Sequence, residues 1–323
     1  MAQPLSHLID SHLFRMALFK WFDIIGIVLW IGALGFRLLV FRPSLKALRD
    51  PSIEERLRRE EAAYTEPALR GLLVYLIVLH FITWVHQAEM MSGKPLSDIL
   101  PVLPIVLTKT HFGSIWVIKL FLLLFLFILI RIRFRLRDPL LFGCGLFLCV
   151  TESLVGHPFT HGVAQGAVFS DWVHLTAVSI WIGGLLPLRR LASKGAVWMA
   201  PDRLALFLRT LIGTFSKWAI VAVALIVTTG SYNAFLFLDR HWIFDFNYGQ
   251  VLLTKLLLAA SAIGMGGVSR IYILPSLYRV ERSAPELERR FSRLILIEVG
   301  LATVTLLLAA LLTQTAPPPP PAQ

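Results

Sequence analysis

Charge is scarce in this sequence: 16% of its 323 residues are Asp, Glu, Lys or Arg, where a soluble domain carries roughly 25%. That scarcity excludes an ordinary water-facing surface over most of the chain. Cysteine is scarcer still. Cys144 and Cys149 lie on one apolar block, well out of phase on a helix, so a disulfide between them is not expected and both read as small packing residues. A Gly-rich phosphate loop, a nucleophile elbow, a zinc-protease helix and a haem-attachment Cys-x-x-Cys-His run are all missing. Their absence argues against an ATP-driven pump, and no enzymatic activity is expected. The N-terminus lacks the basic region and small-residue cleavage site of a signal peptide, so its first apolar block is expected to persist as a helix.

What the chain has instead is apolar sequence in long blocks, 56% hydrophobic overall. Blocks of about 20 apolar residues are long enough to cross the hydrocarbon core of a bilayer. Eight such blocks fall at approximately 18–41, 68–90, 113–134, 139–156, 172–190, 215–238, 249–269 and 293–313. The expected fold is therefore all-α, a polytopic membrane protein of eight transmembrane helices with the lipid bilayer as its surroundings. The net charge of +11 could suggest nucleic acid, but its distribution argues otherwise. Arginine and lysine cluster in alternate short loops, at Arg42–Arg59, Arg131–Arg137, Arg189–Arg209 and Arg270–Arg293, while residues 157–173 contain none. Basic residues in short loops stay cytoplasmic. This places loops one, three, five and seven inside and both termini on the outer, periplasmic side.

The chain also repeats itself. Trp30-Ile31-Gly32-Ala33-Leu34 in the first block matches Trp181-Ile182-Gly183-Gly184-Leu185 in the fifth. Gly113 with Lys119-Leu120 in the third matches Gly249 with Lys255-Leu256 in the seventh, at the same spacing. An offset of four helices preserves orientation, so the expected organisation is two parallel-related four-helix repeats. The first covers 1–156 with a cytoplasmic loop at 43–67, whose Glu54–Glu61 charge run suits a solvated surface helix with i,i+4 pairs, the second covers 157–316, and a Pro-rich periplasmic tail occupies 317–323. The motif glycines are expected to let helices approach closely.

Orientation places all nine histidines at the outer face, and imidazole is the commonest metal ligand. Imidazole beside a thioether suits copper in either oxidation state; His86 and Met90, at i,i+4, share a helix face. The metal-ligand candidates are His157 and His174 first, then His86, His80, His161 and His111, with Met90. His7, His12 and His241 read as peripheral. Each taken singly could equally be an interfacial amphipath. Four charges fall in the outer third of their helices: Asp23, Lys119, Glu152 and Lys255. Such groups are costly unless they pair or reach water, which makes them candidates for a transport path. Snorkelling to the interface is the competing account for the two lysines. Glu298 is expected to pair with Arg290 or Arg293. Tryptophans near predicted helix ends, such as Trp21, Trp84 and Trp218, fit interfacial belts.

From about residue 150 onward the chain resembles the bacterial copper resistance protein D (CopD) family. The resemblance rests on Gly156-His157, on Ser170-Asp171-Trp172-Val173-His174-Leu175 leading into Trp181–Leu185, on Thr229-Gly230 and Asn233-Ala234, and on Tyr248-Gly249-Gln250 with Lys255-Leu256. Ser269-Arg270 stands where the resemblance would have Asn-Arg, no CopC-like domain is fused to the chain, and the first half matches only in its layout. The resemblance implies an inner-membrane protein that handles copper, with a periplasmic CopC-like chaperone as partner and His157 and His174 as the family-like histidines. Together these features predict a copper-ion transporter (Cu+ or Cu2+) of the cytoplasmic membrane, acting in uptake and copper homeostasis. Two alternatives stay open: a b-type haem electron carrier held by facing histidines, and a non-transporting assembly or sensor subunit that presents copper to a partner.

Overall fold

A computed structural model of the chain describes residues 11–155, 164–237, 248–279 and 284–314. Among the described residues, eight helices are long and apolar enough to cross a bilayer. Helix α1 runs Ser11–Gly35 and continues through a π-helical turn, Phe36–Phe41, into Arg42–Leu48. Then follow α2 (Pro51–Ser92), α3 (His111–Leu129), α4 (Arg137–Val155), α5 (Ala164–Trp198) and α6 (Pro201–Phe237). Helix α7 (Tyr248–Val268) also runs on through a π-helical turn, Ser269–Ile273, into Leu274–Arg279, and α8 is Ala284–Leu312. A short helix, Leu103–Lys109, lies in the α2–α3 connection.

The expected loop at 43–67 is helical. The chain turns at Arg49, in the left-handed region, and Asp50 then caps α2 by accepting from the amides of Ser52 and Ile53. Pro51 occupies the first turn, where its missing amide costs nothing. Helix α2 continues through Pro67 for 42 residues and ends at Gly93, whose positive φ closes it. The surface helix expected of the Glu54–Glu61 charge run is thus the first half of α2, and ion pairs to neighbouring helices hold it in place. Arg37 of α1 bonds Glu61 and Glu66 of α2, both at 2.9 Å, and reaches Asp138 of α4 at 3.4 Å. Arg42 also pairs with Asp138, and Arg137 pairs with Glu66. Three guanidiniums thus meet three carboxylates and fasten α1, α2 and α4 at the arginine-rich end.

Helices α1 and α5 pack against each other at the centre. Each carries a glycine of the Trp-Ile-Gly motif into the contact, where a Cβ on Gly32 would overlap the Gly183 backbone and one on Gly183 would overlap the Val28 carbonyl. One apolar cluster fills the space on the side of α1, α5, α6 and α8, around Phe207, Leu211 and Ile295. A second lies among α1–α4, around Trp30, Leu73 and Leu123. Outward-facing residues stay apolar, with Phe121, Phe125 and Ile128 of α3 all exposed. Such a surface is stable against lipid and not against water. The protein is an all-α polytopic membrane bundle.

Candidate functional site

At the histidine-bearing end the bundle gathers charge at bilayer depth. Lys20 and Asp23 lie at i,i+3 on α1 and so share a face. Lys119 of α3 donates to Asp23 Oδ2 at 2.5 Å and to Glu152 Oε1 of α4 at 2.6 Å. Lys20 donates to the other oxygen of Glu152. Two ammoniums and two carboxylates form a neutral buried cluster, the arrangement that makes charge tolerable away from water. Lys119 is only 5% exposed, so it does not snorkel; it is the hub of the cluster. Asp23 Oδ1 has no hydrogen-bond partner among the described residues.

The charge continues into the second half of the chain. Asp171 of α5 lies beside the Ser153 hydroxyl, within electrostatic reach of Lys20 on one side and Lys255 of α7 on the other. Lys255 in turn lies within electrostatic reach of both Asp171 and His174. The four path candidates, Asp23, Lys119, Glu152 and Lys255, thus belong to one polar layer. Lys20 and Asp171 complete it, and neither was singled out for chemistry in the sequence. Their signal was present: Lys20 precedes Asp23 by three residues, as Asp171 precedes His174.

Hydrogen bonding favours one tautomer of His174. The Thr229 hydroxyl on α6 donates to the Leu225 carbonyl at 2.6 Å. Its proton being committed, it accepts from His174 Nδ1–H at 2.9 Å. Nε2 is then the unprotonated nitrogen, with its lone pair in the ring plane. Thr229 is the orienting residue, visible in the sequence only as part of Thr229-Gly230.

The other described histidines are held separately. His80 stacks on Trp116 at 4.4 Å and bonds its carbonyl through Nε2 at 3.0 Å, while the Trp116 indole donates back to the His80 carbonyl. His86 gives Nδ1–H to Glu89 at 3.1 Å and packs on Phe19. His111 donates from Nε2 to the Leu154 carbonyl at 3.1 Å. Met90 is half-buried one turn beyond His86. His157 and His161 lie outside the described residues. Among the described residues no group of three or more His, Cys, Asp or Glu could hold a metal ion.

Glu298 departs from expectation. Arg290 pairs with Glu286, and the Glu298 carboxylate, 2% exposed, accepts from the Trp181 indole at 2.9 Å. It faces Gly266 of α7. The sequence suggested an arginine because Arg290 and Arg293 are near in number, but the helix turns Glu298 inward onto α5.

Two family models match the chain. One, described as copper resistance protein D-like, N-terminal domain, covers residues 12–167, and the other, copper resistance protein D, covers 209–312. The first half, which the sequence motifs matched only in layout, is therefore the longer match, while His174 and the Trp181–Leu185 motif fall between the two. The copper transport protein CutJ of Bacillus subtilis (strain 168) is 32% identical over 159 residues, covering 46% of this chain and 28% of that protein. No solved structure matches. Matched over residues 12–167 and 209–312, this membrane protein belongs to the copper resistance protein D family.

Proposed function

We propose that the chain carries copper across the cytoplasmic membrane in the direction of uptake, taking the ion at the histidine-bearing end. That end is read as periplasmic, with both termini on the same side, because the opposite end holds the arginine clusters. The chain is read as two parallel four-helix repeats, a reading supported by the Gly32–Gly183 contact between the two motif copies.

One observation carries the proposal: the His174 imidazole is held through Nδ1 by Thr229 and lies within electrostatic reach of Lys255 in the buried charged layer. Metal-bound histidine is commonly fixed through its other nitrogen by an oriented partner, and Thr229 supplies that partner. His157 and His161 would complete the ligand set with His174, while His86, His80, His111 and Met90 line the approach. A periplasmic CopC-like chaperone is the expected donor of the ion. The ion then passes the polar layer of Asp23, Lys119, Glu152 and Lys255, whose carboxylates exchange lysine for the travelling cation. Copper here is cargo.

Proteoliposomes containing the purified protein should accumulate copper, and His174→Ala should lower the rate at least tenfold. Thr229→Val keeps the imidazole but frees the ring to adopt the other tautomer, and should lower the rate to an intermediate value. Wild-type vesicles that move no copper, or a His174→Ala variant that transports normally, would end the proposal. A Soret band in the purified protein would favour haem in its place.

A further inference from the structure

Helix α7 packs along α8 but scarcely touches α6. The two approach again only at the arginine end, where the π-helical turn and Leu274–Arg279 lean on α6. The slot between them leads to a cavity of about 350 Å3 enclosed by α5, α6, α7 and α8, within the roughly 300–1,000 Å3 range of small-molecule sites. Ile220 on its α6 rim is half exposed. Since α6 and α7 present apolar side chains outward at this depth, the slot opens toward lipid.

The walls are apolar and include three aromatic rings, Trp181, Phe215 and Phe291. Polar groups stand at two levels. Glu298 spends one oxygen on the Trp181 indole, and no Lys or Arg pairs with it among the described residues. Gly266 lets the carboxylate lie close against α7, since a Cβ there would come within 3.2 Å of Oε1. Three residues further along the same helix, the buried Ser269 hydroxyl has no partner among the described residues, and it lines the same cavity. Three helical residues correspond to roughly 4.5 Å of rise, so a carboxylate acceptor and a hydroxyl donor stand at different levels of the same cavity. Arg270 lies at the mouth beyond Ser269.

We propose that this cavity binds the head of a membrane quinone or quinol, with its tail leaving through the α6–α7 slot. The flat ring lies among the three aromatic side chains. In the quinol, one ring hydroxyl donates to Glu298, and a second ring oxygen accepts from Ser269. A lipid acyl chain would fill the volume but leave both polar groups without a partner, each at a cost comparable to a lost buried hydrogen bond. A bare cation would satisfy the carboxylate and leave the apolar walls empty. The site is independent of copper movement through the polar layer, so it stands or falls apart from the transport reading.

The test uses the purified full chain in nanodiscs of synthetic phosphatidylcholine. It is titrated with short-tailed ubiquinol and menaquinol and their oxidised forms, and binding is read by tryptophan fluorescence. Saturable binding of at least one pair is expected, with no saturation by an analogue of the same tail carrying a plain benzene head. Ser269→Ala should weaken binding about tenfold, equivalent to about 1.4 kcal/mol, and Gly266→Leu, which fills the cavity, should abolish it. Should Gly266→Leu fail to fold, the single-hydroxyl change at Ser269 decides. Equal binding of the benzene analogue, or unchanged affinity in a folded Ser269→Ala protein, would overturn the proposal and leave the cavity as lipid space.

Discussion

Lys119→Met is expected to destabilise the protein by about 3–5 kcal/mol, the usual result of removing one partner from a buried ion pair. The size follows from the geometry. Lys119 is 5% exposed and donates to both Asp23 and Glu152, so its loss strands two carboxylates at bilayer depth with only Lys20 nearby. Lys20 already pairs with Glu152 from a more exposed position, and it cannot serve Asp23 as well without giving up that contact. Thermal unfolding of the detergent-solubilised variant, followed by size-exclusion recovery, measures the effect. Adding Asp23→Asn and Glu152→Gln removes the stranded charge and should restore most of the stability. The same triple variant should still fail to move copper, since it leaves Asp171 as the one carboxylate of the layer's three. Recovery of stability without recovery of transport separates the two roles of the cluster. A Lys119→Met protein as stable as its parent would mean that the two carboxylates find protons or water without the ammonium, and that the cluster is not the closed unit its distances describe.

Much of this architecture was legible in the chain, because the bilayer imposes a coarse rule. Every block of apolar sequence long enough to span corresponds to a helix long enough to span. What escaped was decided by long-range pairing. The Glu54–Glu61 run reads as a separate solvated surface helix, yet Arg37 reaches across to Glu61 and Glu66 and holds it as the first half of α2. Hydropathy carries no information about a partner 24 or 29 residues away. The charges Asp23, Lys119, Glu152 and Lys255 stood out singly for the same reason that they matter: each is costly in an apolar block. Which of them touch was invisible, since depth along a helix can be counted from sequence but rotation toward a neighbour cannot. Lys20 and Asp171 draw no attention from sequence alone, although each stands one turn from Asp23 or His174. The histidines show the opposite limit. Composition gathers them at one end, and the structure then divides the described ones among separate hydrogen-bond partners, with Trp116, Glu89, Leu154 and Thr229 each holding one ring.

The glycine contact between α1 and α5 sets the second large expectation. Gly183→Ala should cost more than the roughly 1–3 kcal/mol typical of core overpacking, because its new methyl meets backbone. The atoms in its way are the Val28 carbonyl and the Gly32 Cα, the latter at 2.9 Å, and a backbone held in two helices cannot swing aside as a side chain can. Gly184→Ala is the internal comparison. Its methyl would meet the edge of the Phe215 ring at 2.9 Å, which can rotate, so the penalty should be smaller. Gly213→Ala, with nothing within 4 Å, should gain about 0.5–1 kcal/mol from improved helix propensity alone. The expected order of unfolding temperature is therefore Gly183→Ala lowest, then Gly184→Ala, then the parent, with Gly213→Ala at or above it. The two apolar clusters lie on opposite sides of the α1–α5 contact, so separating these helices loosens both at once and pulls Asp171 away from Lys20. Loss of transport in Gly183→Ala should then exceed what its remaining folded fraction explains. If Gly183→Ala instead unfolds with Gly213→Ala, α1 and α5 do not meet at this depth, and the polar layer that depends on their contact is not assembled as described.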